Sequence, residues 1–194
     1  KQDKQFLGIK YGETKPTIDL ISIGIVSEDN REYYAISKDF NLKEAWNRND
    51  LDPNHKRNYK QKDNYWIREN VLRPIFNEWM IEYNGKIVRL GLPIPLESNE
   101  FTYKNFKKWL KLKGKTNKQI AREITKFIYP NAIYNHFECK ISDLAVPNCS
   151  KKELPIFYAY YADYDWVVFC QLFGKMINLP QGFPMFSFDI QQLI

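Results

Sequence analysis

The 194 residues are 44% hydrophobic and 27% charged, enough for one sizeable core and far from the composition of a disordered chain. Twenty-nine Lys and Arg against 23 Asp and Glu leave a net charge of +6, which permits a polyanionic partner without requiring one. Cys139, Cys149 and Cys170 exclude a disulfide-rich secreted scaffold and read as reduced thiols of a cytoplasmic protein. No apolar run approaches the ~20 residues of a membrane-spanning helix.

Residues 1–16 are polar and hold Gly8, Gly12 and Pro16, so they read as a loop. Thr17–Ser27 is β-rich and almost wholly apolar after Asp19, the pattern of a strand buried on both faces. Glu28-Asp29-Asn30 reads as a tight turn, and Arg31–Ser37 as the returning strand of a hairpin. Residues 38–66 are polar and irregular, an expected surface loop with four Lys/Arg between His55 and Asp63.

Ile67, Val71, Leu72, Ile75, Phe76, Trp79 and Met80 recur at helical spacing, with Pro74 best placed in the first turn of a second helix. Residues 84–100 read as a loop with an edge strand. Tyr103, Phe106, Trp109 and Leu110 then form the apolar stripe of a helix. Lys104, Lys107, Lys108 and Lys111 lie on its other side, either a solvated face or a track for phosphates. Gly114 joins this helix to another, with Thr116 and Gln119 as a capping box and Ile120, Ile124, Phe127 and Ile128 inside.

Residues 131–153 read as a loop. His136, Cys139 and Cys149 could ligate zinc, but three ligands at that spacing do not make a structural site, and none is expected. Leu154–Ala162 reads as a second strand, Tyr164–Met176 as a helix, Asn178–Pro184 as a loop and Phe186–Ile194 as the start of another helix. Strands alternating with helices imply an α/β chain with a mixed sheet, whose ligands gather at strand ends. At such an end stand Asp163 and Asp165. Asp163 is expected to be the helix N-cap. Asp165 is the candidate ligand for a hard divalent cation. Phosphate-binding glycine loops and the nucleophile elbow are absent from the sequence, and His55 and His136 both fall in loops.

These residues carry a resemblance. Ile18–Val26, Glu28-Asp29 and Arg31–Ser37 resemble the second and third strands of RNase AS-like 3′–5′ exoribonucleases, members of the DEDDh exonuclease superfamily. Tyr164-Asp165, Val167, Cys170–Gly174, Leu179-Pro180 and Pro184–Phe186 resemble that family's middle acidic motif and the stretch after it, and Trp66–Val71 its linking helix. The resemblance implies an RNase H-like mixed sheet flanked by helices, in one domain with an insertion at about 85–152. It implies a two-metal site for Mg²⁺ or Mn²⁺, with Asp165 as ligand. The substrate it implies is the 3′ end of single-stranded RNA, adenylate-rich ends among them, and the products are nucleoside 5′-monophosphates. A homodimer fits the same family. The family's D-x-E motif is expected just before residue 1 and its His/Asp motif beyond Ile194, so the residues read as part of a longer protein. The alternatives are a non-catalytic nucleic-acid-binding relative and an exonuclease acting on DNA.

Overall fold

The computed structural model describes residues 3–6 and 9–13 as backbone, and residues 18–49, 64–90, 99–130 and 154–192 in full. They fall into two compact units: Lys1–Tyr34 with Asn117–Ile194, and Ala35–Thr116. The insertion expected at 85–152 lies partly outside the described residues.

The first unit opens on an antiparallel hairpin, β1 (Asp3–Phe6) with β2 (Ile9–Glu13), where a loop was expected. A glycine between two short polar segments marks a hairpin as well as a loop. β3 (Ser22–Val26) and β4 (Glu32–Ile36) form the hairpin expected from the sequence. Its turn closes through Ser27 N–H to the Arg31 carbonyl at 3.0 Å and Asn30 N–H to the Ser27 carbonyl at 2.9 Å. Asn30 takes a positive φ of 61°, which asparagine tolerates.

The hairpin is tied to α4 (Asn117–Ile128). Arg31 donates to the Phe127 carbonyl and lies 4.9 Å from the centre of the Phe127 ring. A cation at a helix C-terminus also meets the negative end of the helix dipole. The Tyr33 hydroxyl donates to Glu123 at 2.9 Å. Burial, and then the carboxylate, push Tyr33 ionisation above its usual range. Ile120, Ala121, Ile124 and Thr125 form the buried stripe of α4.

β5 (Tyr158–Ala159), α5 (Ala162–Gln171) and β6 (Phe188–Asp189) make a small crossover unit, the strands parallel with Tyr158 opposite Phe188 and Ala159 opposite Asp189. The strand expected over Leu154–Ala162 pairs only at its end, because β6 offers just two residues. Phe186–Ile194, expected to be helical, contributes β6 and then one 3₁₀ turn at Ile190–Gln192. Phe157 packs against Trp166, Phe169 and Phe183 at ring-centre distances of 5.2–5.6 Å and joins strand to helix.

In the second unit, α1 (Leu42–Asn47) occupies a stretch expected to be irregular. Asn41 caps it, its Oδ1 accepting from Glu44 N–H at 3.1 Å. A π turn at Arg68–Leu72 leads into α2 (Arg73–Arg89), with Pro74 in the first turn as expected. α2 runs through Gly85, and Glu82 pairs with Lys86 one turn on and with Lys113 of α3 (Tyr103–Lys113), both at 2.6 Å. Thr102 caps α3 through Asn105 N–H at 3.2 Å. A Cβ on Gly114 would lie 2.6 Å from the Leu110 carbonyl oxygen, so only glycine fits where the chain leaves α3.

Phe106 is the centre of this unit. It is fully buried, with Trp46, Phe76, Trp79 and Phe101 around it at 5.5–6.5 Å. Arg73 covers the outer ring, 4.4 Å from the centre of Phe101.

The described residues thus form a mixed helix-and-strand structure holding three two-stranded sheets. No helix among them is long and apolar enough to cross a membrane. Phe106→Ala is expected to cost about 3–5 kcal/mol in chemical denaturation. Leu112→Ala, on the exposed side of the same helix, should stay within about 0.5 kcal/mol.

Candidate active site

A cleft of about 1030 Å³ opens in the first unit. Every residue from Ile18 to Asp29 lines one side and every residue from Leu154 to Ala159 another, with Phe127, Ile128 and, from α5, Asp165, Trp166, Val168 and Phe169 on the wall. Four acids border it: Asp19, Glu28, Asp29 and Asp165. Asp29 is committed to the hairpin turn. Hydrogen bonds from the Ser27 hydroxyl and then from Arg31 lower its carboxyl to about 2.

Asp165 is exposed, in the first turn of α5. Asp163 stands two residues earlier, about 200° around a helix of 3.6 residues per turn. Only one of the two can face the cleft, and the cleft is lined by Asp165 and not by Asp163.

The expected capping role of Asp163 is corrected. The N-cap position is Tyr161, with φ 55° and no side-chain capping bond, which puts Asp163 inside the helix and exposed. As a first-turn acid Asp163 still meets the positive end of the helix dipole. The turn before α5 is held by Asp189 at the end of β6. Its Oδ1 accepts the N–H groups of Tyr161 and Gln191, each at 3.0 Å. A tyrosine in the left-handed region needs such a restraint. The Trp166 indole N–H adds a bond to the Met185 carbonyl at 3.2 Å. Asp189 is the residue that sequence reading misses. Its signal is the alternation Phe186-Ser187-Phe188-Asp189, a strand pattern inside a stretch expected to be helical.

Lys104, Lys107, Lys108 and Lys111 are exposed on α3, in the other unit. None has an ion-pair partner among the described residues, and Lys107 stands 6.0 Å from the centre of the Tyr103 ring. His136, Cys139 and Cys149 lie outside the described residues. Cys170 is buried, and burial pushes its thiol ionisation up, so it behaves as an inert core group.

Among the described residues no three His, Cys, Asp or Glu side chains are grouped to hold a metal ion. Asp165 offers one hard oxygen ligand, whereas a two-metal centre needs several carboxylates around ions about 3.5–4 Å apart. The described residues therefore do not complete the expected Mg²⁺ or Mn²⁺ site.

Asp189→Ala should destabilise the protein by about 1–3 kcal/mol, since it strips two backbone donors of their acceptor. Asp163→Ala should cost no more than about 1 kcal/mol. Denaturant midpoints of the two variants check the ranking, and equal losses would restore Asp163 as the cap.

No family model matches the chain. A 3′–5′ exoribonuclease of Mycobacterium tuberculosis (strain ATCC 25618 / H37Rv) is 26% identical to it over 190 residues, covering 98% of this chain and 73% of the relative. The 3′–5′ exoribonuclease of the CDC 1551 / Oshkosh strain matches to the same extent. The chain is a distant relative of these 3′–5′ exoribonucleases, as its sequence resemblance implied.

Proposed function

We propose that this protein is a metal-dependent 3′–5′ exoribonuclease of the cytoplasm, built on an RNase H-like sheet. The observation that carries the reading is the position of Asp165. In a chain related to proteins named 3′–5′ exoribonucleases, it is the acid that α5 turns toward the cleft. The reaction is hydrolysis of the terminal phosphodiester of a single-stranded RNA. A water oxygen bonds to phosphorus as the bond to the 3′-oxygen breaks. The products are a nucleoside 5′-monophosphate and an RNA one nucleotide shorter that ends in a 3′-hydroxyl.

Asp165 is the one ligand in the described residues that this reading assigns to the pair of Mg²⁺ or Mn²⁺ ions, and the others come from outside them. The part of the chain that is described handles RNA in two ways. Trp166 at the cleft offers an aromatic face for a base. In the other unit, taken by itself, the exposed lysines of α3 offer charge to a phosphate backbone. Adenylate-rich RNA is the proposed preferred substrate, and a homodimer the proposed assembly.

A second reading is favoured by the lack of an acidic cluster among the described residues: a nucleic-acid-binding relative without catalysis. The two are separated by measuring mononucleotide release from RNA and from DNA of the same sequence. On the exoribonuclease reading, release from RNA requires Mg²⁺ or Mn²⁺ and stops with EDTA. Asp165→Asn should lower kcat/KM by about 100-fold or more, whereas Asp163→Asn should leave it within about threefold. RNA bound but never shortened, with either metal, supports the non-catalytic reading. Equal release from DNA supports the exonuclease that does not read the 2′-hydroxyl.

A further inference from the structure

We infer that Arg68 and Arg73 form a phosphate-binding pair in the second unit, and that its ligand is a backbone phosphate of single-stranded RNA. Glu69 is the anchor of the pair. Arg68 Nε donates to its Oε1 at 2.9 Å, and Arg73 Nε to its Oε2 at 2.6 Å. One carboxylate thus holds both guanidinium groups. Arg73, and then Arg68, keep that carboxyl below its usual range, so it stays ionised.

The π turn brings the two arginines together. Residues five apart in an α-helix point about 140° away from each other. A turn closed by i→i+5 bonds returns them to one side, and such turns recur at functional sites. That bond is made here, from the Arg73 N–H to the Arg68 carbonyl. Aromatic rings then fix the guanidinium planes. Arg68 lies 3.9 Å from the centre of the Tyr65 ring and 5.8 Å from that of Trp46. Arg73 lies 4.4 Å from the centre of Phe101. Trp46 and Phe101 each pack on the buried Phe106 at 6.1 Å, so the rings beneath the arginines belong to the core.

The outer fork of each guanidinium is left over. Among the described residues only the two Nε atoms donate to the protein, and the Nη groups have no acceptor there. The side chains remain 25% and 46% exposed. Two planar forks held side by side match the oxygens of a phosphate, which a lysine meets only as a point charge.

Charge and shape select the ligand. The described residues of this unit carry 13 Lys and Arg against six Asp and Glu. At the exposure of these arginines a small molecule finds little enclosure. A polyanionic strand passing over the surface needs none. Tyr103 continues the surface, its ring 5.6 Å from Trp46 and 6.0 Å from the Lys107 ammonium. The choice of RNA rests on the function proposed above; the arginine pair does not.

The test measures binding without turnover. Fluorescence anisotropy of a 5′-labelled single-stranded RNA is followed in EDTA over a series of salt concentrations. Arg68→Gln combined with Arg73→Gln is expected to weaken binding about tenfold or more. It should also lower the slope of log affinity against log salt by about 0.7, the share of one phosphate. Arg68→Lys combined with Arg73→Lys keeps the charge and loses the forks, so binding should still weaken by about threefold or more. The lysine variant retains cations for Glu69, so it serves where the glutamine variant fails to fold. Lysine variants that bind as tightly as the arginines would overturn the pair. So would a glutamine variant with a lower denaturant midpoint but an unchanged salt slope, the result of a purely structural brace. Displacement of the RNA by micromolar inorganic phosphate would overturn the strand as the ligand. RNA that binds through the pair and is never shortened with Mg²⁺ counts against the exoribonuclease reading and supports the pair. RNA shortened by a protein whose glutamine variant binds as tightly counts against the pair alone.

Discussion

A strand has two edges, and backbone N–H and C=O groups taken out of water need partners on each. The first unit is arranged around that requirement. β3 meets it on the side of β4, and β5 on the side of β6. Ile18–Val26 and Leu154–Ala159 border one cleft. The hairpin turn, with Ser27, Asp29 and Arg31 interlocked and Arg31 fastened to the end of α4, fixes where the β3 edge lies. Phe157, packed on Trp166 and Phe169, fixes where the segment leading into β5 lies. The cleft is therefore bounded by well-anchored elements.

The same anchoring determines which acid faces the cleft. α5 begins immediately after a left-handed tyrosine that Asp189 holds through its backbone N–H. The rotation of the helix follows from that turn and from the burial of Val168, Phe169 and Cys170. With those side chains inside, Asp165 borders the cleft and Asp163 points elsewhere. The placement of Asp165 at the cleft thus follows from core packing one turn further along α5 and from one carboxylate in β6, far from it in sequence.

Much of this is legible in the residues. The β3–β4 hairpin follows from an apolar run, a polar turn and a returning run. α3 and the start of α2 follow from apolar spacing, and Pro74 stands where its missing N–H costs least. Other features are hidden. α1 is only six residues long, too short for a periodic pattern, and its signal is the cap at Asn41. α2 runs through Gly85, with Glu82 one turn before paired to Lys86 and to Lys113 of another helix, and in the sequence a single glycine argues against that continuation. Asp189 is hidden for a different reason. Its role is to accept two N–H groups, one of them 28 residues away in sequence, and no local pattern encodes that distance. That Asp165 rather than Asp163 borders the cleft follows from a rotation of about 200° between the two, and reading it needs the helix start to be located.

The most direct test of this account is a 3′-end degradation assay on 5′-labelled oligo(A) RNA with Mg²⁺ or Mn²⁺, run side by side on the protein and on its Asp165→Asn variant. The account predicts a ladder of products shortened one nucleotide at a time from the protein, stopped by EDTA and lost in the variant. An undiminished ladder from Asp165→Asn would contradict it, and so would intact RNA held by the folded protein.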